Sequence, residues 1–205
     1  MENEMLKIFD DNRNQIGIAT REEVHKLGHW HEAFHCWFIS KEDKGYIYLQ
    51  LRSAMKKDYP SLFDITAAGH LLAHETVLDG VREIKEEIGI DVSIQELIPL
   101  GIIEYCVNRT GFIDKELTNV YLFIGENILK EALLQREEVA GIVRTEFESF
   151  YKFWMGELDQ IRVEGYEMIE ESKISIDKII NKDNFVPHEI SYYENVVKLI
   201  AEKIR

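Results

Sequence analysis

The chain has 205 residues, 45% hydrophobic and 30% charged with only three prolines, which bounds it as one ordinary globular domain with a sizeable core. A net charge of −14 excludes non-specific attraction to nucleic acid or an anionic membrane, and it means that a phosphate compound must be screened from these carboxylates by a metal ion. Two cysteines, Cys36 and Cys106, give no disulfide framework, and no stretch is long and apolar enough to span a membrane, so a reducing cytoplasm is the expected setting.

The start MENEMLKIF carries neither the basic region nor the apolar run of a signal peptide. Met5–Asp10 and Gln15–Thr20 alternate around a polar turn and read as two short strands. Arg21–His31 is a short helix or loop ending in a cluster of rings. Ala33–Ser40 and Tyr46–Arg52 are apolar enough for core strands, joined by the charged turn Lys41–Gly45. Ser53–Ser61 reads as a basic loop, and Phe63–Ala68 leads out of it. Further on, Asp91–Leu97, Leu100–Val107, Glu116–Glu126 and Val139–Arg144 read as strands, with Asn108–Lys115 as a hairpin turn around Gly111. From Thr145 onward the pattern is helical: Phe147, Phe150, Tyr151 and Trp154 form one apolar face, and Tyr193, Val196, Val197, Ile200 and Ile204 another. Gly156–Lys182, between them, is expected to be a highly charged helix. The aromatic face at Phe147–Trp154 is read as core, with a homodimer contact as the alternative. We expect a single domain over 1–205, with a core to about residue 145 and a helical extension over 146–205.

The stretch Gly69–Ile90, GHLLAHETVLDGVREIKEEIGI, holds the chemistry. Thr76 can cap a helix, with Asp79 in capping-box position and Gly89 as the C-cap. At roughly 100° per residue, Val77, Val81, Ile84 and Ile88 share one stripe. Glu83, Glu86 and Glu87 are expected on the opposite side, close together. Most acidic helix faces are simply solvated, and the Arg82–Glu86 pair at i,i+4 adds only about 0.2–0.5 kcal/mol. The order of the residues is more informative: a Gly-containing loop, Glu75, then REIKEEIGI from Arg82 to Ile90.

This stretch resembles the Nudix box, and the chain is similar to the Nudix hydrolase superfamily. The second half of the box matches without a gap. In the first half, Glu75 and Arg82 are seven steps apart where the family has eight. The resemblance implies an α/β fold, an α/β/α sandwich with a mixed sheet, which also fits strands around one central helix, and a hydrolase that uses Mg²⁺ or Mn²⁺ on a small-molecule diphosphate. Glu86 and Glu87 would be principal metal ligands, Glu83 a further ligand or the group that activates water, and Arg82 would hold the glutamates by ion pairing. A hard divalent cation takes oxygen ligands and bridges carboxylates to phosphates, which suits this set. Upstream, Arg52, Lys56 and Lys57 are candidates for contacting the substrate phosphates.

From Lys7 to about Phe123 the chain also resembles isopentenyl-diphosphate isomerases and their hydrolase relatives, through DDNRNQIGIATREEVHKLGHWHEAFHCWFI and LQLRSAMKKDYPSLFDITAAGH. In the isomerases, histidines at the positions of His25, His31 and His70 bind a metal with two acids from a later strand. Asp114 and Glu116 fall where those acids would lie, and the His25–His31 spacing is one residue shorter. This set is the candidate second metal site, with Glu116 an additional ligand or general base. The isomerase reaction relies on a cysteine immediately before Gly-His; here that residue is Ala68, which cannot exchange a proton. Cys36 and Cys106 read as core residues. Loss of that thiol and retention of the box glutamates both favour hydrolysis, with an isomerase-like enzyme and a non-catalytic ligand sensor as alternatives. His188, in FVPHEISYY, could reach a ligand or pack at a helix start.

Overall fold

The computed structural model describes residues 4–40 and 45–204. Residues 41–44 of the expected Lys41–Gly45 turn lie outside the described residues. In chain order the elements are β1 (Met5–Phe9), β2 (Gln15–Thr20), α1 (Arg21–Leu27), β3 (Trp30–Ser40), β4 (Tyr46–Arg52), β5 (Phe63–Asp64) and β6 (Ala67–His70). The helix α2 (Arg82–Ile88) follows, then β7 (Ile98–Arg109), β8 (Phe112–Ile124), α3 (Ile128–Glu131), β9 (Val139–Glu146), α4 (Phe147–Trp154), β10 (Ile161–Ile169), β11 (Ser172–Ile180) and α5 (Ile190–Ile204).

The strands form one mixed sheet with a central path β11-β10-β9-β4-β3-β1-β2. β8 pairs parallel with β3 and antiparallel with β7, while β6 lies antiparallel on β3 and β5 on β4. Side chains of successive strand residues point to opposite faces, and both faces of the central strands are covered. Phe34, Cys36 and Phe38 of β3 join Ile84 and Ile88 of α2 and Ile128 of α3 in one core. Trp37 and Ile39, with Ile47, Leu49 and Leu51 of β4, pack instead with α4 and α5. Helices on both sides of the sheet make the α/β/α sandwich. The aromatic face of α4 is core: Phe150, Phe153 and Trp154 are buried, and the Trp154 ring stacks on Tyr193 at 3.6 Å. No helix among the described residues is long and apolar enough to cross a membrane.

The largest correction concerns Gly156–Lys182, which is not helical. It is the hairpin β10–β11, closed at Glu170 with φ 51°. Its charged residues occupy the solvated side of an edge hairpin, while Ile161, Val163, Ile176 and Ile180 turn inward to the core. Pairing with β9, including the Arg144–Glu164 ion pair at 2.9 Å, fixes it as sheet against the helix propensity of its many Glu and Lys. Asp91–Leu97 is likewise not a strand but holds a short 3₁₀ turn at Ile94–Glu96. The turn after β7 is tighter than expected, so Asp114 and Lys115 lie within β8.

Candidate active site

Three stretches converge on a cleft of about 350 Å³, lined among others by Arg52, Lys56, His70, Glu83, Glu87 and Glu116. On one wall, the capping box before α2 forms as expected: Thr76 N and Oγ1 both donate to Asp79 Oδ2 at 2.8 Å. The helix itself starts later, at Arg82, because Val77–Val81 winds as a 3₁₀ turn. A 3₁₀ turn rises about 2.0 Å per residue against 1.5 Å in an α-helix, so seven steps are enough to carry Glu75 to Arg82. The Glu75 carboxylate grips Arg82 through Nε at 2.5 Å and Nη2 at 3.0 Å, and accepts from Leu72 N at 2.8 Å. Gly89, at φ 73°, ends the helix in the left-handed region.

An outward carboxylate face is found for Glu86 alone; Glu83 and Glu87 are buried as well as Ile84 and Ile88. α2 lies against β6 so closely that a Cβ on Gly69 would come within 2.2 Å of the Glu83 carboxyl and force that side chain to move. Glu87 Oε2 accepts from Ala68 N at 2.9 Å and from Gln50 Nε2 at 3.3 Å. Burial raises the Glu83 carboxyl to about 7, with Arg82 opposing and Glu86 reinforcing the rise. Burial and the neighbouring Glu83 raise Glu87 to about 8. Glu86 is turned toward Arg82 Nη1, 2.9 Å away.

The second cluster is assembled by strand register. Parallel pairing of β3 and β8 sets His31 opposite Glu116, antiparallel pairing of β3 and β6 sets Ala33 opposite His70, and His25 comes from α1. Ring nitrogens of His25, His31 and His70 lie within 4.8 Å of one another, and so do ligand atoms of His31, Asp114 and Glu116. His25 Nδ1 contacts Arg21 O at 2.8 Å and His31 Nδ1 contacts His29 O at 3.2 Å. Carbonyls only accept, so each Nδ1 carries the hydrogen. Burial, then the nearby His70, lowers His31 to about 4, so its ring is neutral and Nε2 is a bare lone pair. That lone pair faces Asp114 Oδ1 at 3.5 Å and Glu116 Oε1 at 3.9 Å. His31 Nε2, Asp114 Oδ1 and Glu116 Oε2 are buried without a hydrogen bond. Acceptors converging on acceptors fit a cation-binding set. His70 resists its burial: Glu116 and Glu4 on either side raise it to about 9.

The third stretch is the basic loop after β4. Arg52 and Lys56 line the cleft, but Lys57 is exposed and does not. Arg52 is engaged on three sides, donating to Tyr59 O at 3.1 Å, Asp58 O at 2.9 Å and Asp64 Oδ2 at 2.9 Å. Lys56 pairs with Glu138. Sequence reasoning missed Asp64, Glu4 and Tyr192, and it notes His35 only as one of a cluster of histidines. His35 Nδ1 contacts Tyr192 Oη at 2.7 Å and its Nε2 faces Glu116 Oε2 at 3.4 Å, so α5 buttresses the cluster. These contacts join residues far apart in the chain, and no local pattern announces them.

The comparisons with known proteins follow the same lines. No family model matches the chain. An uncharacterized Nudix hydrolase of Clostridium acetobutylicum is 38% identical over 204 residues, covering 98% of this chain and 99% of that protein. The chain belongs to the Nudix hydrolase family. It is an enzyme of that class. An isopentenyl-diphosphate Delta-isomerase of Paenarthrobacter aurescens is 31% identical over 121 residues, 58% of this chain and 65% of the isomerase. A MutT/nudix family protein of Enterococcus faecalis superposes with a TM-score of 0.53 at 16% identity, covering 84% of this chain and 61% of that one, a likeness in fold. Within this Nudix hydrolase, Ala68 lines the cleft while Cys36 and Cys106 do not. Burial raises the Cys36 thiol well above its ordinary value.

Proposed function

We propose that this Nudix hydrolase cleaves a diphosphate bond in a small organic diphosphate, nucleoside diphosphate derivatives included, with Mg²⁺ or Mn²⁺. The observation that carries this is the buried Glu83–Glu87 pair, each raised by burial first and then by a neighbouring carboxylate, Glu86 for Glu83 and Glu83 for Glu87, in one cleft with Arg52 and Lys56. Carboxylates packed this closely on one buried helix face fit a divalent cation, held by Glu83, Glu86 and Glu87, with His25, His31, His70, Asp114 and Glu116 as a second set. A cation bound there supplies charge neutralisation to the phosphates and makes water more acidic. Glu83, raised to about 7, has the proton affinity suited to a general base. Glu116 suits a ligand better: burial works against its charge, but His35 and His70 hold it well below the usual carboxylate range. Arg52 and Lys56, lining the same cleft, orient the diphosphate, and Arg82 holds Glu75, Glu83 and Glu86 in place.

The isomerase alternative has the histidine cluster in its favour and Ala68 against it, because a methyl group supplies no proton. A non-catalytic sensor would be expected to have lost box carboxylates, and all three are present. The test is a panel of organic diphosphates assayed with Mg²⁺ for phosphate release, together with metal titration of Glu86→Gln. Cleavage of at least one compound and weakened metal binding in the variant are expected. No cleavage across the panel, with unchanged metal affinity, sinks the proposal; interconversion of isopentenyl and dimethylallyl diphosphate would favour the alternative.

A further inference from the structure

The segment before α5 is built into the cleft. Phe185 bridges in parallel to Phe63 of β5, Val186 N donates to Phe63 O at 2.9 Å, and Tyr193 Oη donates to Val186 O at 2.8 Å. This docking sets His188 Nε2 3.1 Å from Asp64 Oδ1, across 124 residues of sequence. Asp64 is buried, and its carboxylate also accepts from Arg52 Nη1 at 2.9 Å and Ile65 N at 2.9 Å. Burial opposes its charge, yet His188 and Arg52 bring Asp64 down to about 2, so it is an ionised acceptor. The hydrogen between Asp64 and His188 therefore sits on Nε2.

Two further facts set this histidine apart from a packing residue. Its side chain is only 9% exposed and lines the cleft together with Arg52, yet Nδ1 has no hydrogen-bond partner among the described residues. Arg52, for its part, has three of its donor directions taken by Tyr59 O, Asp58 O and Asp64, leaving it few for a ligand. A buried carboxylate that fixes one arginine and one histidine side by side, both on the wall of a cleft, orients two donors toward a common acceptor.

We infer that His188 is a substrate-contacting residue whose Nδ1 meets a phosphate oxygen of the diphosphate, and that Asp64 is a positioning residue that orients His188 and Arg52 toward it. The inference rests on the diphosphate reading above. Phosphate oxygens accept, so Nδ1 donates to them while Nε2 keeps its bond to Asp64. The tail before α5 is then part of the substrate site.

His188→Gln separates contact from packing. A glutamine amide nitrogen can stand where Nε2 stood and keep the Asp64 bond, but nothing replaces Nδ1. The probe is methylenediphosphonate with Mg²⁺, measured by calorimetry on the full chain. Unchanged Tm and roughly tenfold weaker binding are expected, the scale of one hydrogen bond to a charged group. Equal affinity at unchanged Tm overturns the contact. Should His188→Gln unfold the tail, the His188 ring in ¹⁵N-labelled wild type, assigned through its packing on Tyr105 and Tyr192, gives a second reading. An Nδ1 shift on adding the probe supports the contact, and a silent Nδ1 overturns it. A wild type that binds the probe but cleaves no diphosphate refutes the hydrolase reading alone; a wild type that cleaves a diphosphate but binds no probe overturns the contact alone.

Discussion

The two side-chain clusters in the cleft differ in almost every physical respect. The α2 cluster offers only oxygens, all from one short helix, and burial raises two of its three carboxyls. The histidine cluster mixes nitrogen and oxygen from α1, β3, β6 and β8, and its central carboxylate, Glu116, is held low by the surrounding rings. An all-oxygen set suits a hard cation such as Mg²⁺, whereas imidazole with carboxylate suits Mn²⁺ and later transition metals. One cleft thus presents two donor sets of different chemistry.

The two clusters separate most visibly under paired substitutions. Glu87→Gln keeps the shape but removes an ionisable carboxyl from the α2 cluster, and Mg²⁺-dependent turnover should fall roughly a hundredfold or more. Asp114→Asn should instead weaken Mn²⁺ binding by about tenfold or more and leave Mg²⁺ binding near its wild-type strength. Calorimetric titration of both variants with both ions decides this. Parallel loss of both ions in Asp114→Asn would mean that the clusters act as one site.

Legibility in the sequence divides along the same line. The α2 cluster is written locally: the capping residues, the Ile84–Ile88 stripe and Gly89 lie within one stretch, so helix and carboxylates can be read together. Even so, the burial of Glu83 and Glu87 could not, because it depends on the approach of β6 at Gly69. The histidine cluster was legible only through family resemblance, since register between β3, β6 and β8 creates it. Asp64 with His188 and His35 with Tyr192 left no trace, being joined across 124 and 157 residues. The β10–β11 hairpin was misread for a related reason. Its identity comes from pairing with β9, and its own Glu and Lys content favours a helix.

A smaller effect follows from proton linkage. Glu83 and Glu87 titrate near 7 and 8 in the folded chain against 4.5 for an ordinary glutamate. Between about pH 4.5 and 8 the folded state therefore binds more protons than the unfolded state, and stability falls as pH rises through that window. With chelator present, the wild-type Tm should fall from pH 5 to pH 8, and Glu87→Gln should flatten that slope. His31, lowered to about 4, acts in the opposite sense below pH 6.5, so the difference between wild type and variant is the quantity to measure. A slope that is the same in both proteins would show that the α2 pair is not the source.

The smallest expected effect lies at the basic loop, where adjacent lysines have different surroundings. Lys56 is largely buried, lines the cleft and pairs with Glu138, whereas Lys57 is exposed and outside it. An exposed lysine whose charge is screened by water and salt contributes little to a ligand that it does not touch, because the Debye length is only about 8 Å at physiological ionic strength. Lys57→Ala should leave KM within about twofold of wild type and change stability by no more than about 0.5 kcal/mol. Lys56→Ala removes a cation from the cleft lining and takes away the ion-pair partner of Glu138, so KM should rise several-fold with little change in kcat. If the two variants raised KM equally, the loop would act through its summed charge rather than through contact, and Lys56 would lose its distinction from Lys57 as a cleft residue.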